Sequence, residues 1–191
     1  MARLVDAVVV VDVEATCWDG KPPPGEHNEI IEIGACLLDV ATLTRSDKRG
    51  WFVRPERSTV SPFCTELTTI RPENVANAPT LFEVLAQMQD ELDAKNRPWA
   101  SYGDYDRRQF EKDCKAKSVR YPFGPAHLNV KNLAAFALGH TRPMGMAGAL
   151  KELGIPLEGT HHRGVDDAWN IAAVLAAVLK AARSGLTSRT S

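Results

Sequence analysis

The sequence predicts an α/β fold in which a mixed five-stranded sheet is flanked by helices, and three observations carry that expectation. A β-branched run, Val8 to Val13, has the composition of a central strand covered on both faces. Two more strand-like segments follow, joined closely enough to favour antiparallel neighbours. Beyond residue 60 the hydrophobic period changes, and helical stretches alternate with short apolar segments, the pattern of a sheet with helices packed on it.

After the first strand, Trp18 to Asn28 carries Pro22, Pro23 and Pro24, which excludes helix interior and central strand and leaves a surface loop. Ile30 to Leu38 reads as the second strand and Gly50 to Arg54 as the third, with a polar turn over Thr42 to Lys48. Ser61 to Ile70 has the look of a short helical turn ended by Arg71-Pro72. Thr80 caps a helix from Leu81 to Ala94, with Leu81, Val84, Leu85, Met88 and Leu92 on one face. Pro98 to Ser101 is a fourth strand, Asp106 to Lys117 a charged helix and Ala126 to Val130 a fifth strand. Met144 to Leu153 is a short helix closed by Gly154 and Pro156, and Val165 to Ala182 is a long alanine-rich helix.

Composition bounds the function classes. The 191 residues hold 23 Lys plus Arg against 24 Asp plus Glu, and 44% are hydrophobic, which suits one globular domain over residues 1–183 with a frayed polar tail over 184–191. The formal net charge of -1 supplies no general basic field, so a polyanion must be held locally or through metal ions. The longest uncharged apolar run, Ile171 to Leu179, is about half of the ~20 residues a membrane span requires. Acidic residues interrupt the N-terminal apolar stretch, so it does not read as a secretory signal and a cytoplasmic location is expected. Cys17, Cys36, Cys64 and Cys114 form no C-x-x-C pair, which argues against a zinc cage or disulfide framework.

Several acids stand out. Asp12 and Glu14, two apart at the end of a strand, emerge on one face and repel each other. Taken alone the pair is a weak signal, since the strand can end at Val11 with both acids solvated. Asp104 or Asp106 can cap the helix that follows Gly103, and Asp166 and Asp167 suit the positive end of the last helix. Residues five apart on a helix diverge by about 140°, so His162 faces the same side as Asp167 only from a preceding loop, which Gly164 permits. These acids come from a strand end, a strand-to-helix junction and a helix start, where open α/β sheets build sites. Four converging negative charges need cations. Hard oxygen ligands favour Mg²⁺ or Mn²⁺ over zinc, and two such ions in phosphoryl chemistry sit ~3.5–4 Å apart. A neutral histidine suits the proton of an attacking water.

The segments VVDVEATC (Val10 to Cys17), SYGDYDRRQF (Ser101 to Phe110) and HHRGVDDAWNIA (His161 to Ala172) resemble the three motifs of the DEDDh, or DnaQ-like, 3′–5′ exonucleases. NEIIEIGACLLD and SPFCTELTTI extend the likeness over roughly residues 7–180. They point to the subgroup of histone-mRNA and small-RNA 3′ exonucleases and their bacterial relatives named as sporulation-pathway inhibitors. The resemblance implies an RNase H-like fold and metal-dependent removal of 5′-mononucleotides from single-stranded RNA or DNA or a 3′ overhang, with RNA slightly favoured. It also implies two divalent ions, Mg²⁺ or Mn²⁺.

Carried over position by position, the resemblance makes Asp12, Glu14, Asp106 and Asp167 the metal-binding acids and His162 the general base. Asp104, His161 and Asp166 are then neighbours without those roles. It further implies that Ala15 and Thr16 hold the terminal nucleotide while Phe63, Leu67 and Tyr105 enclose its base; Phe63 and Leu67 can equally be core residues. An aromatic or apolar wall accepts any base because every base has a π-face. The chain departs from the pattern at Thr68-Thr69-Ile70, where Thr-Gly-Ile is expected. Arg107 to Arg120 carries a local charge of +4 that suits either a phosphate backbone or a solvated helix face. Trp51, Trp99 and Trp169 are expected in the core, and Trp18 beside the site. A catalytically silent binding module on the same fold and a small-molecule phosphatase or nucleotide hydrolase are the competing readings.

Overall fold

The computed structural model describes residues 5–187. β1 (Ala7–Ala15) is the middle strand of five, in the order β3-β2-β1-β4-β5. It pairs antiparallel with β2 (Ile30–Asp39), which pairs antiparallel with β3 (Arg45–Phe52). On its other edge it runs parallel to β4 (Trp99–Ser101), and β4 runs parallel to β5 (His127–Asn129). The fold is the mixed, RNase H-like α/β arrangement that the sequence predicts.

Side chains alternate along β1 and feed two separate cores. Val9, Val11 and Val13 meet α3 (Leu81–Leu92), α4 (Tyr105–Ala116) and the Trp99–Phe123 stack, whose ring centroids are 4.2 Å apart. Val8 and Val10 meet α5 (Val130–Ala137), α6 (Met146–Glu152) and α7 (Gly164–Thr187). A third cluster joins Ile31 of β2 to Cys64 of α1 (Pro62–Thr68) and Val75 of α2 (Pro72–Val75). Since Asp12 and Glu14 share the parity of Val8 and Val10, they face α7.

Local chemistry explains most boundaries. Thr80 and Glu83 form a reciprocal capping box at the start of α3, the Thr80 N–H donating to Glu83 Oε2 at 2.8 Å. Thr69 ends α1 with φ +63°, a left-handed conformation that glycine adopts without strain and a β-branched residue does not.

Three expectations are corrected. β3 begins at Arg45, within the expected turn, because Arg45 to Arg49 lie on the sheet's edge and need no apolar face. A helix not read from the sequence, α5, follows β5 directly, with Asn129 Oδ1 accepting the Asn132 N–H at 3.1 Å as its cap. α7 continues to Thr187, so residues 184–187 are helical rather than tail; residues 188–191 lie outside the described part.

Candidate active site

The close approach of two glycines sets the site. A methyl group at Gly34 of β2 would lie 1.9 Å from the Gly164 carbonyl, so neither the sheet nor the start of α7 has room for a side chain there. Glu32, buried two residues earlier, accepts the Gly164 N–H at 2.8 Å and two bonds from the Arg163 guanidinium at 2.8 and 3.2 Å. The first turn of α7 is thereby pinned over the end of β1, with the Asp12 carbonyl beside Gly164. Asp167 faces Asp12 and Glu14 as a result, and the three present carboxylate oxygens within 4.8 Å of one another.

Asp106 completes the group from the first turn of α4. Gly103, at φ +111°, turns the chain out of β4, and Asp106 Oδ1 accepts the Val13 N–H at 3.0 Å. The buried Asp106 is therefore tied to the strand that carries Asp12 and Glu14 rather than capping its own helix. Asp104, at the cap position, makes no cap bond and instead pairs with Arg107. β1 continues through Asp12 and Glu14 to Ala15, so the two acids belong to the sheet instead of a solvated strand end.

Burial and mutual repulsion dominate the electrostatics. Burial, reinforced by Asp106, Glu14 and Asp167, pushes the Asp12 carboxyl well above the usual range. Burial followed by the charges of Asp167 and Glu32 pushes Glu14 up to about 9. Asp106 is raised by burial to about 6 despite the Val13 hydrogen bond, and burial also raises Asp167. This all-oxygen, charge-starved donor set fits hard divalent cations, which would supply the missing positive charge.

The histidines occupy the loop before α7, as the helix geometry requires. His162 has φ +63°, and its backbone N–H donates to Asp167 Oδ2 at 2.9 Å. Its pKa is lowered, first by burial and then by the neighbouring His161. The His161 side chain is also at the site, with Nδ1 3.1 Å from both Asp167 oxygens and its ring stacked on that of His162 at 4.0 Å. Both histidines and the four acids line one open cleft of about 320 Å³, together with Tyr102 and Tyr105.

The remaining candidates fall into different environments. Phe63, Leu67 and Tyr105 are exposed at 38%, 39% and 56%, so none is core. α1, which carries the first two, is tied to the end of β1 by Ser61 Oγ donating to the Cys17 carbonyl at 2.6 Å. Ala15 and Thr16 are buried. The Thr16 hydroxyl donates to the His27 carbonyl and accepts the Glu29 N–H, tying the strand end to the residues after the proline-rich loop. Much of the basic charge on α4 and just beyond it is used internally: Lys117 pairs with buried Glu29 at 2.7 Å, and Lys112 donates to the Asn28 carbonyl. Trp51 and Trp99 are buried as expected, whereas Trp169 is half-buried, with the Arg45 guanidinium 4.3 Å over its ring. The sequence reading missed Gly34, Glu32 and Arg163. A glycine inside an otherwise apolar strand is the signal for a close backbone approach.

The sheet brings four acids and a histidine into one cleft, a donor set that could hold divalent cations. The exonuclease family profile RNase_T matches residues 9–175, and the chain belongs to that family. It is related to the DEDDh histone-mRNA exonuclease subgroup. Human 3′-5′ exoribonuclease 1 is 33% identical over 185 residues, which cover 92% of this chain and 53% of the relative, so the chain spans about half that protein's length. Among solved structures, a 3′-exonuclease described for 3′-end-specific recognition of the histone mRNA stem-loop superposes with a TM-score of 0.84 at 29% identity, covering 92% of this chain and 64% of that one. The nuclease domain of 3′hExo, a DEDDh family member bound to rAMP, gives 0.79 at 28% identity over 92% of each chain.

Proposed function

We propose that the chain is a single-domain, metal-dependent 3′–5′ exonuclease that releases 5′-mononucleotides from single-stranded nucleic acid or 3′ overhangs, with RNA preferred to DNA. The observation that carries this reading is the convergence of Asp12, Glu14 and Asp167, with Asp106 bound to the same strand, in the cleft that contains His162. The preference for RNA rests on the relatives, one bound to rAMP and one described with histone mRNA.

In this reading Asp12, Glu14, Asp106 and Asp167 hold two divalent ions, Mg²⁺ or Mn²⁺. When bound, the ions supply positive charge to the scissile phosphate and ease deprotonation of the attacking water. His162, kept neutral by burial, receives that water's proton, and its hydrogen bond to Asp167 holds the loop in place. The exposed faces of Phe63, Leu67 and Tyr105 enclose the terminal base, and Ala15 and Thr16 shape the floor beneath the nucleotide. Among the described residues no helix is long and apolar enough to cross a membrane. Four free cysteines support a reducing, cytoplasmic setting.

The test is a time course on 5′-labelled RNA and DNA, single-stranded, 3′-overhanging or blunt, with Mg²⁺, Mn²⁺ or EDTA. The expected result is a metal-dependent ladder shortening from the 3′ end, faster on RNA. Oligonucleotides left intact under every metal condition would overturn the assignment, and faster turnover of simple phosphate esters would replace it with a small-molecule hydrolase.

A further inference from the structure

We infer that His161, His162 and Asp167 form a second metal site, selective for an imidazole-preferring transition ion such as Zn²⁺, whose occupation shuts off hydrolysis in the adjoining carboxylate cluster. The inhibitory part of this inference rests on the exonuclease reading; the binding part does not.

The geometry comes from the loop. Side chains of consecutive residues in extended backbone point to opposite sides. The left-handed His162, at φ +63°, reverses that, and the two imidazoles stack at 4.0 Å with 18° between their planes. One ligand atom from each histidine and one from Asp167 lie within 4.8 Å of one another. The 3.1 Å from His161 Nδ1 to each Asp167 oxygen is close to the edge of a tetrahedron built on zinc bonds of ~2.0–2.1 Å. Asp167 is buried and oriented by the His162 N–H, the kind of outer hydrogen bond that fixes a ligand, while the exposed His161 already bonds Asp167 through Nδ1, a contact that an ion would replace.

Donor chemistry separates this site from its neighbour. Imidazole nitrogens suit Zn²⁺, Ni²⁺ or Cu²⁺, whereas the cluster of Asp12, Glu14 and Asp106 offers only the carboxylate oxygens that suit Mg²⁺ and Mn²⁺. The two sites share Asp167. A transition ion on the histidine side occupies the nitrogen that would receive the water's proton and draws Asp167 away from the other acids. His161 is joined to the carboxylate cluster through Asp167 and supplies a nitrogen that the carboxylate site lacks, which makes it the residue that distinguishes the sites.

The experiment uses the full, untagged chain in saturating Mg²⁺. Half-inhibition by Zn²⁺ of cleavage of 5′-labelled single-stranded RNA is compared between wild type and His161→Gln, and Co²⁺ is titrated into both proteins and into Asp12→Asn while the visible absorption is read. Loss of one ligand is expected to raise the Zn²⁺ needed for half-inhibition about 100-fold, from outer-partner losses of roughly 10–100-fold. Each half-inhibition is read relative to the same protein's own Mg²⁺-supported rate without Zn²⁺, so that any change in basal rate drops out of the comparison. The Co²⁺ absorption of nitrogen ligation is expected in wild type and Asp12→Asn and absent from His161→Gln. Equal Zn²⁺ sensitivity together with equal Co²⁺ spectra in wild type and His161→Gln would overturn the site. A His161-dependent Co²⁺ spectrum in a protein that cleaves nothing would retain the metal site and discard the exonuclease reading.

Discussion

Replacing one titratable carboxyl of the acidic cluster by a neutral amide should stabilise the metal-free protein, and Glu14→Gln isolates the effect. The Glu14 carboxyl titrates near 4.5 in the unfolded chain and is pushed up to about 9 in the fold, mainly by burial and then by Asp167 and Glu32. Between those values folding takes up a proton, so stability falls as pH rises from about 4.5 towards 9. At pH 7, about 2.5 pH units into that window at ~1.36 kcal/mol each, the cost is roughly 3 kcal/mol. Glutamine fills the same space without the proton cost. Thermal unfolding in EDTA at pH 7 should therefore give Glu14→Gln a melting temperature higher by about 6–12 °C, at ~2–4 °C per kcal/mol for a chain of this size. At pH 5 the advantage should shrink to less than about 1 kcal/mol, because the wild-type carboxyl then pays little to remain protonated. Saturating Mg²⁺ should stabilise wild type more than the variant. A Glu14→Gln protein less stable than wild type at pH 7 in EDTA, or a gain of the same size at pH 5, would refute the argument.

Other consequences follow from packing and backbone geometry. Gly34→Ala sets a methyl group against the Gly164 backbone, and should cost about 3 kcal/mol or more in denaturant unfolding. By lifting Asp167 away from Asp12, it should also slow cleavage by about 100-fold or more. Thr69→Gly, which relieves the left-handed threonine after α1, should add about 1 kcal/mol of stability. Lys117→Met strands Glu29, whose carboxyl burial alone would raise but which Lys117 and the Arg57 and Glu56 N–H groups hold at about 2. The expected loss is about 3–5 kcal/mol at pH 7. The wild-type contribution should disappear as pH falls from about 4.5 through 2, which acid titration followed by circular dichroism would read.

How much was legible in the sequence depended on where each residue sits. The central strand and α3 were readable because their burial imposes a period of two or 3.6 residues on the apolar positions. The second half of β3 is readable from Gly50 onward, but its first residues, Arg45 to Lys48, read as a turn, since an edge strand with little to bury leaves no hydrophobic pattern. α5 was passed over because Asn129 serves both as the end of β5 and as a helix cap, leaving no loop between them. The four acids and His162 were identified from motif resemblance and lie together in the cleft. The reason they meet is the contact between Gly34 and Gly164 under Glu32; a glycine within β2 signals a close approach, but its partner lies more than a hundred positions away and no local pattern names it. Thr69 is the instructive case: the glycine expected there belongs to a left-handed helix end, and the threonine adopts that conformation regardless.

The measurement that bears most directly on the central claim is single-turnover cleavage of a 5′-labelled single-stranded RNA by wild type, His162→Ala and Asp106→Asn, each with excess Mg²⁺ and with EDTA. Wild type should shorten the RNA stepwise from its 3′ end in Mg²⁺ only. His162→Ala should lose at least about 100-fold, in line with the contribution of a general base, with its fold retained by circular dichroism. Undiminished cleavage by correctly folded His162→Ala, or by wild type in EDTA, would contradict that claim.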